Sequence, residues 1–351
     1  MMNKDCDFFF VAARSDHPDG GIYTVDSTTL KVTSFAPMPS VSYLLPYPSD
    51  KKYPLLYAVG KGLDGENYVG IWSIGEKGVL TFLDQRNTHG VSTCHLTTDS
   101  SGEWLYCGSY SSGNLCEFKM KEGLFAEADA RKLLFTGGKL GPHKKRQEKP
   151  HPHCTIFTPD EKFLCVPDLG LDSVLLYAFS PETGLSQEIA FRYESVNGGA
   201  GPRHLVFSAD GKKAYLANEV DSTVSVLEYA DGTLTHCQTL STLYTPNEKN
   251  TVAAIRFSPD GKYLCVSNRG DESFALFRIQ TDGLLVREDI VPVHGKNPRD
   301  IHFLPGGIFG SCNEFTHDVT FLRYQERSGR LTFEFMEDKT LSLPGPLCII
   351  P

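Results

Sequence analysis

Basic, acidic and imidazole side chains recur at corresponding points between residues 153 and 314 of this 351-residue chain. Arginine suits the bidentate capture of a carboxylate or a phosphate. A carboxylate among arginines stays ionised and can act as a base, and a histidine can move a proton near neutral pH. The set therefore predicts capture of an anionic compound and acid–base chemistry on it. Its members are His153, Arg203, Glu219, Arg269, Arg299 and Glu314.

Half of these residues belong to a strand pattern that the chain repeats seven times. The clear copies are Phe163–Asp168, Ala214–Glu219 and Tyr263–Arg269, and weaker copies are Phe8–Arg14, Leu55–Lys61, Trp104–Tyr110 and Ile308–Glu314. Their starts lie 45 to 59 residues apart. Short strands at such a period are typical of a β-propeller in which each repeat forms one four-stranded blade. We therefore predict an all-β, seven-bladed propeller that occupies residues 1–351 as a single domain.

One repeat shows how the four strands of a blade follow each other. Its predicted strands are Pro202–Ser208, Lys213–Asn218, Thr223–Tyr229 and Thr233–Leu240, separated by turns. The chain opens on the second strand of a blade, Asp7–Ala13, and closes on a first strand, Pro346–Ile350. Pairing of these two segments would close the ring and remove exposed strand edges. We therefore expect the C-terminal strand to complete the N-terminal blade.

In a propeller, the start of each first strand and the end of each second strand lie around one channel mouth. Alignment of the repeats places two rings of residues there. The first ring contains Tyr43, Ser92, His153, Arg203, Ala253, Arg299 and Leu347. The second contains Arg14, Lys61, Tyr110, Leu169, Glu219, Arg269 and Glu314. The charged residues of blades 4 to 7 should therefore converge.

Simpler interpretations stay open for the same residues. Arg203 and Glu219 could form a structural ion pair, and His153 could be a capped histidine at a strand start. His151 and His204 stand beside the first ring and are typical of structural histidines, although both are candidates for substrate contact. The basic stretch 143–149 lies in the longest interval between repeats and could be a functional loop or a solvated insertion. One repeat position, held by Asp168, Asn218, Asn268 and Asn313, is expected to stabilise a turn.

The bulk composition excludes several classes of function. A formal net charge of −9 disfavours general binding to nucleic acid or to a membrane surface, so we expect neither partner. No 18-residue apolar run and no signal-peptide pattern are present. The ten cysteines show no CxxC and no zinc spacing. Reduced cysteines, many of them buried, and a cytoplasmic location are the simplest expectation.

No other motif competes with this site. The glycine-rich run Asn197–Gly201 lacks the Gly-Lys-Ser/Thr of a phosphate loop, and no GxSxG sequence occurs. Propellers can bind calcium through axial carboxylates, and Glu219 with Glu314 could be imagined in that role. The neighbouring arginines argue against a cation, so we expect neither a metal nor a cofactor.

Four segments carry a family resemblance that covers essentially the whole chain. They are Arg146–His153, Gly201–His204, Asn218–Glu219 and Asn297–Arg299. They resemble the lactonase family of seven-bladed propellers, which includes 6-phosphogluconolactonases and fungal carboxymuconate-lactonizing enzymes. By position, the resemblance implies metal-free catalytic roles for His153, Arg203, Glu219 and Arg269. It also implies that the substrate-binding residues include Arg299, with His151, His204 and Glu314 as further candidates.

The resemblance implies hydrolysis of an anionic sugar-acid lactone, with 6-phosphoglucono-1,5-lactone as the first choice. Such a reaction needs a base for water, stabilisation of an oxyanion and a proton for the leaving oxygen. We expect Glu219 as the base, His153 as proton donor or relay, and Arg203 as the oxyanion or substrate contact. Arg269 and Arg299 would hold the anionic end. Two alternatives stay open: a lactone-forming cycloisomerase that acts on a muconate, and a non-catalytic propeller that binds a protein partner.

Overall fold

The computed structural model describes residues 7–47, 54–134 and 138–351, which form seven antiparallel sheets. The sheets follow one another along the chain as the blades of a propeller, so the all-β, seven-bladed prediction is confirmed. Within these residues the helical content is one short 3-10 turn, Glu76–Gly78. The same ranges contain no helix with the length and apolar character needed to cross a membrane.

The strands are numbered along the chain, and each blade takes a consecutive set. Blade 1 contains β1 (Phe8–Ala13), β2 (Gly21–Asp26) and β3 (Val32–Pro37), and blade 2 contains β4 (Tyr43–Pro46), β5 (Leu55–Lys61), β6 (Asn67–Ile74) and β7 (Leu80–Asn87). Blade 3 contains β8 (Thr93–Thr98), β9 (Trp104–Ser109), β10 (Asn114–Lys121), β11 (Leu124–Phe125) and β12 (Arg131–Leu134), and blade 4 contains β13 (Ile156–Phe157), β14 (Phe163–Asp168), β15 (Ser173–Ser180) and β16 (Gly184–Glu194).

Blades 5 to 7 follow the same plan. Blade 5 contains β17 (Pro202–Phe207), β18 (Lys213–Asn218), β19 (Thr223–Ala230) and β20 (Thr233–Ser241), and blade 6 contains β21 (Thr251–Phe257), β22 (Tyr263–Arg269), β23 (Ser273–Ile279) and β24 (Leu285–Pro292). Blade 7 contains β25 (Pro298–Leu304), β26 (Ile308–Asn313), β27 (Asp318–Arg327), β28 (Arg330–Phe335) and β29 (Leu341–Ser342), and β30 (Pro346–Ile350) ends the chain.

The last strand closes the ring as the sequence predicts. β30 pairs with β1 in the antiparallel sense, with Phe10 opposite Ile350 and Ala13 opposite Pro346. The backbone N–H of Arg14 also donates to the carbonyl oxygen of Gly345 at 2.8 Å. Blade 1 is thereby completed by a strand from the other end of the chain, and the edge of β1 is covered.

Apolar side chains from adjacent blades pack against each other and form the core. Phe9 and Val11 of blade 1 pack in one cluster with Val319 and Phe321 of blade 7. Such inter-blade packing makes each sheet depend on its neighbours for burial. The nine cysteines of the described ranges are free thiols, and most are buried within this core.

A β-bulge in the first strand of most blades turns one residue towards the channel. In blade 5, Pro202 lies opposite Asn218 and His204 lies opposite Ala217, which leaves Arg203 without a cross-strand partner. The same shift occurs in blades 3 and 7, at Cys94 and Arg299. A bulge commonly re-aims a side chain in this way.

The observed strand pairing corrects two members of the first predicted ring. Cys94 takes the position in blade 3 that the sequence alignment gave to Ser92. In blade 2 the corresponding residue is Ser42 rather than Tyr43. The N–H of Ser42 donates to Val59, just as the N–H of His153 donates to Pro167 in blade 4. In blade 3 the alignment was wrong because an extra bulge residue leaves no mark in the strand periodicity. In blade 2 it was wrong by one residue, since Tyr43 lies opposite Val59 as His204 lies opposite Ala217 in blade 5.

A second repeated feature is a hydrogen bond that connects each of blades 4 to 6 with the next blade, and blade 7 with the closing strand. Asp172, Ser222, Glu272 and His317 occupy the turn between the second and third strands of blades 4 to 7, each with φ between 52° and 59°. Each side chain forms a hydrogen bond to the segment that enters the next first strand. Asp172 accepts the N–H groups of Gly199 and Gly201 at 2.6 and 2.8 Å. These contacts fix the backbone that precedes the bulge residues.

Candidate active site

Three charged residues meet where blades 5 and 6 reach the channel mouth. Arg203 is the bulge residue of β17, Glu219 follows β18 directly, and Arg269 ends β22. The N–H of Glu219 donates to the carbonyl oxygen of Gly201 at 2.7 Å, which ties the end of β18 to the start of β17. The neighbouring Asn218 amide donates to Thr223 and Ser225, so it holds the following turn, as the sequence predicts. Strand ends and turns therefore position the cluster.

The Glu219 carboxylate receives three guanidinium groups. Its Oε2 accepts from Arg203 Nε at 2.8 Å and lies 2.9 Å from Arg269 Nη2. Its Oε1 accepts from Nη2 of Arg146, which sits on the loop between β12 and β13. Arg203 and Arg269 are further held by the carbonyl oxygens of Ala253 and Val252, both at 2.8 Å. The two strand-borne arginines are therefore fixed in place around one carboxylate oxygen.

This environment keeps Glu219 ionised. Burial by itself raises the pKa of Glu219, but the charges of Arg269, Arg203 and Arg146 outweigh it and hold the pKa well below its usual value. Burial and the charge of Arg269 lower the pKa of Arg203 to about 9, although Glu219 acts in the opposite direction. Both groups are consequently charged at neutral pH.

His153 stands beside this cluster as a neutral imidazole. It is the residue of blade 4 that corresponds to Arg203, and its side chain is buried. Burial and then the charge of Arg203 hold the pKa of His153 well below its usual value. Its Nδ1 lies 3.8 Å from the Sγ of Cys94, and its ring lies 5.5 Å from that of Tyr110. A neutral imidazole can accept one proton and donate another.

His151 and His204 contact the site without lying at its centre. His151 stacks on Tyr110 at 4.2 Å, and its ring nitrogens reach the carbonyl oxygen of Tyr110 at 2.8 Å and Glu148 at 3.0 Å. His204 Nε2 accepts from Arg203 Nη1 at 3.1 Å. His151 therefore secures the loop before β13, and His204 orients Arg203.

Arg299 and Glu314 form a second, more open group. Arg299 Nη1 lies 3.9 Å from one Glu314 carboxylate oxygen, and Arg14 Nη1 lies 3.9 Å from the other. Asn297 Nδ2 donates to Glu314 at 2.8 Å. Neither Arg299 nor Arg14 forms an ion pair with Glu219 in the described part of the chain. These longer contacts leave the two arginines able to bind an incoming anion.

A small cavity extends from the site into the channel. Its volume is about 20 Å³, which suffices for a single water molecule. It is lined by Ser42, Tyr43, Cys94, His153, Arg203, His204, Arg256, Arg299, Asp300 and Leu347. Arg256 and Asp300 form a buried ion pair of 2.7 Å there. A ligand of sugar size must therefore bind at the mouth, above these residues.

Arg146 is the site residue that the repeat alignment missed. It belongs to the basic stretch 143–149, which is an insertion and has no counterpart in the other blades. Buried Gln147 anchors this stretch, because its Nε2 donates to the carbonyl oxygen of Leu169 at 2.9 Å and its Oε1 accepts the N–H of His143 at 3.0 Å. The signals in the sequence were the unusual length and basic character of the interval and its share in the family resemblance, and none of them gave Arg146 a place beside Glu219.

The structure thus brings Arg203, Glu219 and Arg269 into direct contact, with His153 beside them. Arg299 and Glu314 lie at the same mouth in a separate group. Among residues 7–47, 54–134 and 138–351, no three or more His, Cys, Asp and Glu side chains are arranged to hold a metal ion. The arrangement can bind an anion and move a proton close to a buried carboxylate.

Comparisons with known proteins identify the family of the chain. The family described as "Lactonase, 7-bladed beta-propeller" matches residues 8–351. The chain is 33% identical over 309 residues to a 6-phosphogluconolactonase of Bacillus subtilis, an alignment that covers 86% of this chain and 85% of that protein. It is 29% identical over 262 residues to a 6-phosphogluconolactonase of Formosa agariphila, covering 72% and 73% of the two chains.

Solved structures show the same fold over the full chain. A crystal structure from Bacteroides fragilis superposes with a TM-score of 0.86 at 29% identity and covers 100% of this chain and 99% of that one. The periplasmic gluconolactonase PpgL of Pseudomonas aeruginosa gives a TM-score of 0.86 at 24% identity, with 98% of each chain covered. The chain therefore belongs to the lactonase family of seven-bladed β-propellers and is a lactone-hydrolysing enzyme.

Proposed function

We propose that the protein hydrolyses 6-phospho-D-glucono-1,5-lactone to 6-phosphogluconate. The observation that carries the proposal is the excess of positive charge at the mouth. Five arginines, Arg14, Arg146, Arg203, Arg269 and Arg299, surround only Glu219 and Glu314 in the two ion-pair groups. A dianionic phosphate compensates such an excess, and a neutral lactone does not.

The substrate class is also that of the relatives from Bacillus subtilis and Formosa agariphila, which are named 6-phosphogluconolactonases. The product, 6-phosphogluconate, would place the enzyme in the pentose phosphate pathway. The cytoplasmic location expected from the cysteine-rich sequence stays a prediction.

The reaction begins with water at the lactone carbonyl. Glu219 accepts a proton from this water as its oxygen bonds to the carbonyl carbon. The carbonyl oxygen becomes an oxyanion, which Arg203 stabilises. The Nε and Nη1 of Arg203 are engaged by protein groups, whereas its Nη2 forms no hydrogen bond within the described residues. That N–H group is available to the developing charge.

Ring opening then follows collapse of the oxyanion. The bond between the carbonyl carbon and the ring oxygen breaks, and the ring oxygen takes a proton. Neutral His153 relays this proton, because its imidazole can donate one proton and accept the one held by Glu219. The products are a hydroxyl group and a carboxylic acid, which then loses its proton to the solvent.

The anionic end of the lactone binds at the outer arginines. Arg299 is the principal candidate, because its only charged partner in the described residues is Glu314 at 3.9 Å. Arg269 contributes charge from its position beside Glu219, where its guanidinium is fixed by Val252. The phosphate would therefore lie at the open, outer part of the mouth, and the lactone carbonyl on the Arg203 side.

A hydrolysis assay on freshly prepared 6-phosphogluconolactone tests the proposal. The wild-type protein should raise the rate well above spontaneous hydrolysis, and a chelator should leave the activity unchanged. 6-Phosphogluconate should also raise the melting temperature, because a ligand that binds only the folded state stabilises it. A spontaneous rate with no thermal shift would exclude the proposal and favour a non-catalytic propeller. Formation of a lactone from carboxymuconate, without hydrolysis of the phosphorylated lactone, would favour the cycloisomerase.

A further inference from the structure

The two carboxylate oxygens of Glu219 are held by arginines of different kinds. Oε2 is held by Arg203 and Arg269, which stand on strands and are also bound to backbone carbonyl oxygens. Oε1 is held by Arg146 alone within the described residues. The side chain of Arg146 is 33% exposed, whereas those of Arg203 and Arg269 are 3% and 9% exposed. Arg146 is therefore the most accessible of the three partners.

The contacts of Arg146 allow its guanidinium to leave without disturbing its loop. The loop is held by the neighbours of Arg146: Gln147 bonds to Leu169, and Glu148 bonds to His151. Apart from Glu219, the guanidinium reaches only Tyr110 Oη among the described residues, at a long 3.5 Å. A rotation of the side chain would thus break one strong contact and leave the anchors of the loop intact.

Arg146 also limits what Glu219 can do while the two side chains are paired. Each positive charge nearby lowers the pKa of the Glu219 carboxylate, and a carboxylate of very low pKa is a weak base. In addition, Oε1 is the oxygen that a water molecule could reach, since Oε2 lies between two buried arginines. The same oxygen is covered by Arg146.

We propose that Arg146 exchanges its partner when the substrate binds. The anionic group of the substrate draws the Arg146 guanidinium away from Glu219, and Glu219 Oε1 is then free to accept the proton of the attacking water. The inference rests on the proposed lactonase function and deepens it. Arg146 is then a positioning residue whose release couples substrate charge to activation of the base. Binding of Arg146 to a phosphate can compensate for the loss of its ion pair with Glu219, because a guanidinium binds phosphate through two parallel hydrogen bonds.

The exchange predicts opposite effects of one substitution on two substrates. In R146Q, hydrolysis of the phosphorylated lactone should fall by about tenfold or more, the size of one lost charge-assisted hydrogen bond. Hydrolysis of unphosphorylated glucono-1,5-lactone should instead rise several-fold above the wild-type rate, because Glu219 Oε1 is no longer covered. R146K keeps the charge but not the bidentate geometry. Its rate of hydrolysis of the phosphorylated lactone should fall, and its rate on glucono-1,5-lactone should not rise.

Inorganic phosphate can provide, as a separate molecule, the anionic group that glucono-1,5-lactone lacks. It should accelerate hydrolysis of glucono-1,5-lactone by the wild-type protein and have no such effect on R146Q. The acid limb of the pH–rate profile for glucono-1,5-lactone should also move to higher pH in R146Q, since one positive charge has left Glu219. A residue with a purely structural role would not produce this shift. Equal melting temperatures of the two proteins would show that both are folded.

The outcomes separate the exchange from the proposed function. If the wild-type protein hydrolyses neither lactone, the proposed function is wrong and the exchange falls with it. If the wild-type protein hydrolyses the phosphorylated lactone, but R146Q loses the same factor on both substrates and phosphate activates neither protein, only the exchange is overturned. A destabilised R146Q would leave the phosphate activation of the wild-type protein as the deciding measurement.

Discussion

Asp172 Oδ1 accepts the backbone N–H of Gly201 at 2.8 Å, two residues before Arg203. Gly201 in turn accepts the N–H of Glu219, so one carboxylate in blade 4 fixes the strand ends that carry the charged cluster of blade 5. Asp172 touches no member of that cluster in the described structure. Its role is to set the distance between Arg203 and Glu219 through the backbone.

Replacement of Asp172 by Asn should therefore reduce kcat more than it affects KM. Asparagine tolerates the left-handed backbone at this position, but one N–H of Gly199 or Gly201 loses its acceptor. An unsatisfied buried group costs about 1–3 kcal/mol, and a displacement of about 1 Å in a site can cost about a hundredfold in rate. His317→Ala breaks the matching contact to Gly345, away from Glu219, and serves as the control. It should lower Tm with a smaller effect on kcat.

The repeat pattern was sufficient to predict the fold because apolar strands at a regular interval are compatible with few other folds. In blade 5, the predicted second strand, Lys213–Asn218, has the observed bounds, and the other three strands differ by one residue at their ends. The ring closure followed from the unpaired strand at each terminus. The strand pattern recurs in every blade, and the terminal strands supply the members that one blade lacks. Both features can be recognised in the sequence alone.

The rest of the site depends on local geometry that the pattern does not encode. A bulge in blade 3 makes Cys94 rather than Ser92 the member of the first ring, and the pairing of β4 with β5 makes it Ser42 rather than Tyr43 in blade 2. The contact of Arg146 with Glu219 depends on the course of an insertion that occurs once in the chain. No repeat alignment can position a segment that has no counterpart in the other repeats.

Asp168 should make the free energy of unfolding depend on pH. It holds the repeat position that is asparagine in blades 5 to 7, and its Oδ2 is buried without a hydrogen-bond partner. Burial raises the pKa of Asp168 from 3.8 to about 6. The ionised form therefore destabilises the fold: the cost is absent below about pH 4, appears as the pH rises through 6, and approaches about 3 kcal/mol at 1.36 kcal/mol per pKa unit.

Asp168→Asn should remove this cost. The amide can keep the two backbone bonds of Oδ1, to the N–H groups of His151 and Leu171, and can donate to Ser173, as Asn268 donates to Ser273. The free energy of unfolding of the variant should exceed that of the wild type at pH 8, and the difference should shrink towards pH 4. Urea unfolding at both pH values measures it. Asn218→Asp is the reverse control and should destabilise, and a pH-independent difference would contradict the assignment.

Removal of residues 343–351 should open the ring. The truncation uncovers the edge of β1 and exposes apolar partners of Ile349 and Ile350, each of which contributes about 1.5–3 kcal/mol when buried. We expect Tm to fall by about 5 °C or more, given roughly 1–2 °C per kcal/mol for a chain of this size. Calorimetry of the truncated protein measures the loss. Val286→Ala, at an exposed strand position, is the control and should leave Tm nearly unchanged. An unchanged Tm after truncation would show that the closing strand adds little.

Arg299 and Arg269 should differ in their kinetic roles. Arg299→Ala should raise KM for the phosphorylated lactone about tenfold with little change in kcat, because it removes a contact made equally to substrate and transition state. Arg269→Ala should raise KM and also lower kcat, because it removes one of the two groups that hold Glu219 Oε2. Steady-state kinetics on 6-phosphogluconolactone separates the two constants. A loss of kcat in Arg299→Ala as large as that in Arg269→Ala would move Arg299 into the catalytic cluster.

Glu219→Gln tests the proposed base most directly. The amide keeps the size of the side chain and can still accept from arginine, but it cannot take a proton from water. The rate should fall by about a hundredfold or more, the usual contribution of one general acid–base group, while KM changes modestly. Since the pKa of Glu219 lies well below its usual value, the wild-type acid limb lies at low pH, and it should vanish in the variant. Glu228→Gln, which alters a surface ion pair with Lys213, is the matched control. A folded Glu219→Gln protein with the wild-type rate would leave Glu219 as the structural counterion of Arg203, and His153 would then be the remaining candidate for the base.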